Sequence, residues 1–207
     1  MLICDTTYKI NKYRLPLLEI VGITSTNMTF VVAFTYLSYE RTNNFEWALS
    51  KVKELFMKDD VSPYVIVTDR DLAFMNALET MFPSSTNLLC LFHITKNINA
   101  KYKIYVDKFE EWQNIIDSTD EESYYECLKS FINQCTRYKV FADYVQNTWL
   151  TPFKEKFVQA WVDRIMHLGN ITTNRVEGTH VRLKRLLHYS MGDLCSCWVA
   201  MNNMFVL

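Results

Sequence analysis

The stretch Tyr64-Val65-Ile66-Val67-Thr68-Asp69 decides the fold of this chain. Its continuous apolar run, cut off by Thr68 and Asp69, is typical of a strand that helices bury on both faces. Three earlier runs, rich in β-branched and aromatic residues and joined by short connections, predict an antiparallel meander. These runs are Met1 to Thr6, Leu17 to Ile23 and Thr29 to Leu37.

Helical periodicity separates these strands from the later ones. From Asn44, a predicted N-cap, apolar residues recur at helical spacing (Phe45, Ala48, Leu49, Val52, Leu55 and Phe56). A second helix is predicted from Asp71, as N-cap, to Met81, and a fifth strand over Leu88 to Phe92. The order β-β-β-α-β-α-β is that of a ribonuclease H-like sheet, in which the crossover helix returns the fourth strand parallel to the first. We therefore expect an α/β fold with a mixed sheet of three antiparallel and two parallel strands.

The remainder of the chain is helical in pattern. Apolar residues keep helical spacing from His93 to Ile116, and Thr119 with Glu122 forms a capping-box signature. Thr173-Asn174 opens a final helix towards Tyr189. Three tryptophans lie in the apolar stripes of this region and are predicted to be core residues: Trp112, Trp149 and Trp161.

Two acidic residues end neighbouring strands of the predicted sheet. Asp5 lies near the end of the first strand, and Asp69 directly follows the fourth. Strands are about 4.8 Å apart, so the two carboxylates would face each other and repel unless a cation or a proton lies between them. Oxygen ligands of this kind favour Mg²⁺ or Mn²⁺, and a pair of such ions supports phosphodiester chemistry. Asp71 competes as a ligand but is well placed to cap the following helix.

Composition restricts the class of protein further. A chain of 207 residues that is 49% hydrophobic predicts one large domain, or two small ones, with a substantial core. Its net charge of −1 means that a nucleic-acid partner would have to be bound by a local patch. No apolar run approaches the roughly 20 residues of a membrane span, and no signal peptide is evident. The six scattered cysteines, with no C-x-x-C pair, predict reduced thiols in a cytosolic or nuclear setting.

Four motifs together resemble the transposase domain of Mutator-like elements. They are Asp5-Thr6-Thr7-Tyr8-Lys9 with Asn11, Tyr13, Pro16 and Leu17; Thr68 to Ala77; Cys90-Leu91-Phe92-His93; and Asn174-Arg175-Val176-Glu177. The resemblance spans about Met1 to Tyr189. It implies a DDE-type transposase with a ribonuclease H-like core, and Asp5, Asp69 and Glu177 as catalytic residues and ligands of Mg²⁺ (or Mn²⁺). It also implies a core over 1–93, a helical insertion over 94–168, and a C-terminal part of the core over 169–207 that carries Glu177.

Other roles stay open for some of these residues. Asn174-x-x-Glu177 also has the pattern of a helix-capping pair, which the residues alone favour. Cys90 and His93 could form half of a zinc site, but no second pair at suitable spacing lies nearby. We expect Cys90 to pack at the strand end and His93 to lie near the catalytic face, binding phosphate or positioning a flap. A satisfied core histidine is the alternative.

A basic cluster on the final helix predicts contacts to the DNA backbone. It consists of Arg175, Arg182, Lys184 and Arg185, to which we add His93. The alternative is a solvated helix face.

The expected function is Mg²⁺-dependent cleavage of DNA at the ends of an element, followed by strand transfer to target DNA in the nucleus. A homodimer is expected because transposition joins two element ends. The main alternative is a catalytically silent DNA- or protein-binding module in transcription, or a truncated element remnant. Only four residues precede Asp5, and no zinc knuckle follows, so we expect an isolated core. A third possibility is a nuclease that acts on RNA–DNA hybrids.

Overall fold

The computed structural model describes residues 1–56, 61–101, 109–187 and 192–205. Its strands are β1 (Leu2–Thr7), β2 (Leu17–Ile23), β3 (Thr29–Tyr36), β4 (Val65–Thr68) and β5 (Thr86–Leu89). Its α-helices are α1 (Thr42–Lys53), α2 (Leu72–Met81), α3 (Leu91–Lys101), α4 (Phe109–Ile116), α5 (Glu121–Gln134), α6 (Lys139–Val145), α7 (Thr151–Phe153), α8 (Gln159–Val162), α9 (Asn174–Leu186) and α10 (Leu194–Phe205). None of the described helices is both long enough and apolar enough to cross a membrane.

The chain forms two compact units. The first combines Met1–Asn87 with Thr172–Leu207, and the second is Leu88–Ile171. The first unit is therefore discontinuous in sequence, because the whole of the second lies between its two segments.

The five strands form one mixed sheet in the order β3-β2-β1-β4-β5. Strand β1 is antiparallel to β2, and β2 is antiparallel to β3. Strands β1 and β4 are parallel, as expected for a crossover through α1. The predicted α/β fold with a ribonuclease H-like mixed sheet is confirmed.

Helices cover both faces of the sheet in the first unit. Leu18 and Ile20 of β2 pack in a core cluster with residues of α1 and α2. Leu17 packs instead in a second cluster with residues of α9 and α10. Because side chains alternate along a strand, Glu19 belongs to the face covered by α9.

Several element boundaries differ from the predictions. Helix α1 begins at Thr42 after Arg41, which makes no side-chain capping hydrogen bond, so the predicted N-cap Asn44 lies inside the helix. The fifth strand ends at Leu89, and α3 begins at Leu91 rather than after Phe92. The apolar run there did not reveal this change, because such a run suits a buried strand and a buried helix equally.

The predicted N-cap of α2 is confirmed. The side chain of Asp71 accepts a hydrogen bond from the Phe74 backbone N–H at 2.9 Å. Helix α9 ends at Leu186, whereas the final helix was predicted to run towards Tyr189, which lies outside the described residues. Residues 102–108 of the helical pattern from His93 to Ile116 also lie outside them.

In the second unit, the capping box of α5 is one residue later than predicted. Asp120 caps the backbone of Ser123, and the Ser123 side chain bonds back to Asp120. Thr119 contacts the Asp120 carboxylate instead.

The predicted core tryptophans of this unit are mostly buried. Trp112 and Trp149 lie in the core as expected, and Trp161 is half-buried. The Lys154 ammonium lies 5.3 Å from the centre of the Trp161 ring and over the rings of Tyr124 and Tyr125. Trp161 therefore joins a cation–π contact at the edge of the unit.

Candidate active site

A cleft of about 230 Å³ opens where β1 and β4 end, in the first unit. Carboxyl ends of parallel strands meet at one edge of a sheet, where α/β proteins commonly bind ligands. Ten residues line the cleft: Cys4, Asp5, Thr6, Tyr8, Glu40, Phe45, Asp69, Arg70, Asp71 and Phe74. The cleft therefore contains two of the three predicted metal ligands, Asp5 and Asp69.

The strand register sets these two aspartates side by side. Strand β1 pairs Leu2 with Ile66 and Ile3 with Val67 of β4. Continuing this register by two residues brings Asp5 level with Asp69, which directly follows β4. The Asp5 side chain is 14% exposed, and Asp69 is half-buried. This oxygen donor set fits Mg²⁺ or Mn²⁺, and a cation there would relieve the repulsion between the two carboxylates.

Two further acidic residues line the cleft and already accept hydrogen bonds. Asp71 caps α2 through the Phe74 N–H. The Tyr8 hydroxyl donates a hydrogen bond to Glu40 Oε2. Burial, together with this bond, raises the pKa of Tyr8, so the phenol keeps its proton at neutral pH.

The third predicted ligand, Glu177, lies on α9. It is not among the described residues that line the cleft. Its Oε1 accepts a hydrogen bond from Thr173 Oγ1 at 3.3 Å. Three residues later, His180 Nδ1 lies 3.7 Å from Asp5 Oδ2. Positions three apart are neighbours on a helix surface, so Glu177 lies towards the side of α9 that contacts Asp5.

The N-cap of α9 is Thr173 rather than Asn174. Helix α9 begins at Asn174, which is therefore already inside the helix, and the N-cap position belongs to Thr173. The Thr173 side chain makes no capping hydrogen bond.

A buried carboxyl group lies next to Asp5 on the neighbouring strand. Glu19 is the direct partner of Asp5 in the β1–β2 register and is fully buried. His180 Nε2 lies 3.1 Å from Glu19 Oε2. The imidazole of His180 thus lies between two carboxyl groups, with one ring nitrogen towards each.

The environment favours the uncharged forms of Glu19 and His180. Burial raises the pKa of Glu19 to about 8; the charge of Asp5 adds to this, and a bond from Thr179 opposes it. Burial lowers the pKa of His180 to about 4, and the charge of Lys184 lowers it further. The two groups lie close together, with His180 Nε2 3.1 Å from Glu19 Oε2, but outside hydrogen-bonding geometry.

The sequence analysis did not single out Glu19. The sequence does indicate that Glu19 lies on a buried strand face, because Leu17 and Val21, two positions to either side, share its face of β2. A carboxyl group on such an apolar face is costly to bury without a polar partner. The partner, His180, is distant in sequence, so only the tertiary structure identifies it.

The basic residues of α9 that were predicted to bind DNA lie in different places on the helix. Lys184 is exposed and lies close enough to His180 to affect its pKa. Arg185 is exposed. Arg175 and Arg182 instead line a different groove, of about 470 Å³, beside the start of β3.

Arg175 is held by the turn between β2 and β3. Its guanidinium donates to the Asn27 carbonyl at 3.1 Å, to Asn27 Oδ1 at 2.7 Å and to Thr29 Oγ1 at 3.0 Å. These bonds give Arg175 a structural role at this turn.

The Cys-x-x-His motif lies at the start of α3 in the second unit. Cys90 is buried, as expected, and its carbonyl accepts a hydrogen bond from the Ile94 N–H at 3.1 Å. His93 is half-buried in the first turn, with its ring at an edge-to-face angle to Phe92. The predicted phosphate-binding role of His93 stays a prediction.

The mixed sheet, with carboxylates where its parallel strands end, defines an α/β protein of ribonuclease H-like architecture. Residues 1–97 match the MULE transposase domain, the domain of Mutator-like elements. The predicted resemblance to this family is therefore confirmed over residues 1–97.

Similar proteins occur in plants and fungi. Protein FAR-RED IMPAIRED RESPONSE 1 of Arabidopsis thaliana is 21% identical over 193 residues, which are 89% of this chain and 22% of that protein. Protein FAR1-RELATED SEQUENCE 6 of the same plant is 32% identical over 97 residues, 47% of this chain and 13% of that protein. PKS-NRPS hybrid synthetase cheA of Chaetomium globosum is 34% identical over 124 residues, 58% of this chain and 3% of that protein. The chain thus spans less than a quarter of each of these relatives.

Proposed function

We propose that this chain is the catalytic core of a Mutator-like DNA transposase that cleaves and transfers DNA strands with Mg²⁺ or Mn²⁺. The observation that carries the proposal is the placement of Asp5 and Asp69 at the ends of adjacent parallel strands, in the wall of one cleft. The match to the MULE transposase domain covers both residues and supports the same function.

The residues have distinct roles in this proposal. Asp5 and Asp69 hold the ions through carboxylate oxygens, and Glu177 completes the ligand set from α9. Bound Mg²⁺ or Mn²⁺ would activate the attacking oxygen and stabilise the leaving one. Lys184, near His180 on α9, neutralises phosphates of the bound DNA. DNA contacts are also proposed for Arg182, Arg185 and His93, whereas the predicted contact of Arg175 competes with its hydrogen bonds to the β2–β3 turn.

The partners follow from the reaction. The protein binds element ends and target DNA, acts in the nucleus, and pairs as a homodimer because two element ends must be joined. Within the chain, residues 94–168 are proposed as a helical insertion into a core formed by 1–93 and 169–207.

Asparagine substitutions at the two aspartates test the proposal. Asp5→Asn and Asp69→Asn each remove a negative charge from the ion site at nearly constant side-chain size. Both should abolish the nicking of supercoiled plasmid DNA in Mg²⁺ or Mn²⁺, while the circular dichroism spectrum stays that of the wild type. Glu79→Gln is the matched control, because Glu79 is an exposed acid on α2 outside the cleft.

Full nicking activity in either aspartate variant would refute the assignment. The same assay should compare duplex DNA with an RNA–DNA hybrid. Cleavage of the hybrid alone would identify a ribonuclease H-type nuclease and overturn the transposase proposal.

A catalytically silent binding module is the second candidate. The observation in its favour is the match to FAR-RED IMPAIRED RESPONSE 1, which extends over 89% of this chain, well beyond residues 1–97. A silent module would bind DNA or a protein partner without nicking DNA, and it would not be stabilised by Mn²⁺. A transposase core would nick DNA in the presence of Mn²⁺ and would also be stabilised by that ion.

A further inference from the structure

We propose that His180 is a positioning residue that fixes the rotation of the Asp5 carboxyl group, and that buried Glu19 holds the His180 ring in place. The inference rests on the proposed function, since it assigns a purpose to Asp5 as a metal ligand. It adds two residues, one from β2 and one from α9, to the support of the cleft.

Asp5, Glu19 and His180 form one cluster of side chains in the first unit. Glu19 and Asp5 are direct partners across the β1–β2 pair. His180 reaches this pair from α9, with Nδ1 3.7 Å from Asp5 Oδ2 and Nε2 3.1 Å from Glu19 Oε2. The ring therefore contacts one carboxyl group through each of its nitrogens.

Two members of this cluster are buried polar side chains. Glu19 is 0% exposed and His180 is 6% exposed. Two polar side chains in such a place destabilise the fold unless they are partnered, and an apolar pair of similar shape would pack there at no such cost. The presence of a buried polar pair at this position therefore indicates a functional role that two apolar side chains could not fulfil.

His180 faces one of the two carboxylate oxygens of Asp5. Oδ2 faces the ring, whereas Asp5 as a whole lines the cleft. A ring at this position limits the rotation of the Asp5 carboxyl group in the wall of the cleft. Partners that orient a ligand typically change metal affinity by about 10- to 100-fold when they are removed.

The experiment measures the dissociation constant of Mn²⁺ alone with the full 207-residue chain, by electron paramagnetic resonance. His180→Phe keeps a ring but removes both nitrogens, and Glu19→Leu removes the carboxyl group that holds the ring. Each should weaken Mn²⁺ binding by about 10- to 100-fold. Glu19→Gln keeps a polar side chain of the same size beside Nε2 and should restore affinity close to that of the wild type.

Two further variants control for folding. Val181→Gln changes the exposed neighbour of His180 on α9 and should bind Mn²⁺ like the wild type. The double variant Glu19→Leu/His180→Phe replaces the buried polar pair with an apolar one, so it should fold even if a single variant does not. Its Mn²⁺ affinity should be as weak as that of His180→Phe.

The outcomes separate this inference from the proposed function. If Asp5→Asn loses Mn²⁺ but the folded His180 and Glu19 variants bind it normally, the positioning role is overturned and the metal site stands. If the wild type does not bind Mn²⁺, the proposed function fails, and with it the purpose assigned here to His180.

A second readout tests the contacts without metal. In the metal-free protein, Asp5→Asn and Glu19→Leu should each shift the ring ¹⁵N resonances of His180. Unchanged resonances in both variants would overturn the positioning role, whatever the metal data show.

Discussion

Asp69 and Asp71 are two residues apart, yet their carboxyl groups have different surroundings. Asp69 lies beside Asp5 at the strand ends, whereas Asp71 accepts a hydrogen bond from the first turn of α2. Both line the same cleft. Substitution can therefore separate a role in catalysis from a role in folding.

Substitutions at Asp71 should affect stability rather than chemistry. Asp71→Ala removes the N-cap of α2 and should lower the free energy of unfolding by about 1 kcal/mol, whereas Asp71→Asn keeps a capping oxygen and should be nearly neutral. Urea denaturation measures both values. The Asp71→Asn protein should also nick DNA like the wild type, and loss of nicking in a stable Asp71→Asn protein would instead make Asp71 a metal ligand.

Single residues also show what could be predicted from the sequence. Asp5 and Asp69 could be paired in advance because the order of strands implies their adjacency. Glu19 could not be assigned, since its buried surroundings depend on α9, which is far away in sequence. The local sequence indicates a buried face but does not show which side chain will cover it.

At the scale of secondary structure elements, α9 carries two different surfaces. Val176, His180 and Leu183 are buried, and His180 contacts Asp5 and Glu19 of the sheet. Arg175 and Arg182 line a groove beside β3. Gly178 is exposed and lines the same groove, and an added Cβ there would meet no atom within 4 Å.

Gly178→Ala should stabilise the protein. Alanine has the higher helix propensity and fits without a clash, so the free energy of unfolding should rise by about 1 kcal/mol in urea denaturation. Gly169→Ala is the opposing control, because Gly169 has a φ of +73°, which disfavours a side chain. A destabilised Gly178→Ala protein would show that α9 does not tolerate a methyl group on that side.

Element boundaries were harder to predict than element types. Strand β2 was predicted with its observed bounds, because Pro16 and a polar turn delimit its apolar run. The change from β5 to α3 was missed, because Leu88 to Phe92 is apolar throughout and carries no capping residue. The α5 cap was displaced by one residue, because Thr119 and Asp120 are both good N-caps.

At the scale of the whole molecule, metal binding should appear as stability. Any ion that binds only the folded state stabilises it by mass action, by about 2.7 kcal/mol at a concentration 100 times the dissociation constant. Mn²⁺ should therefore raise the melting temperature of the wild type, and EDTA should reverse the effect. Asp5→Asn should show a much smaller shift, and an equal shift in both proteins would locate the ion elsewhere.

The discontinuous first unit has a consequence for synthesis on the ribosome. Strands β1 to β4 are made before Leu88–Ile171, and α9 and α10 follow only after that segment. Translation adds roughly 5–20 residues per second, so the sheet face that carries Leu17 and Glu19 stays uncovered by α9 and α10 for several seconds. A premature stop codon before residue 172 would release a polypeptide whose bare apolar surface invites aggregation and proteolysis.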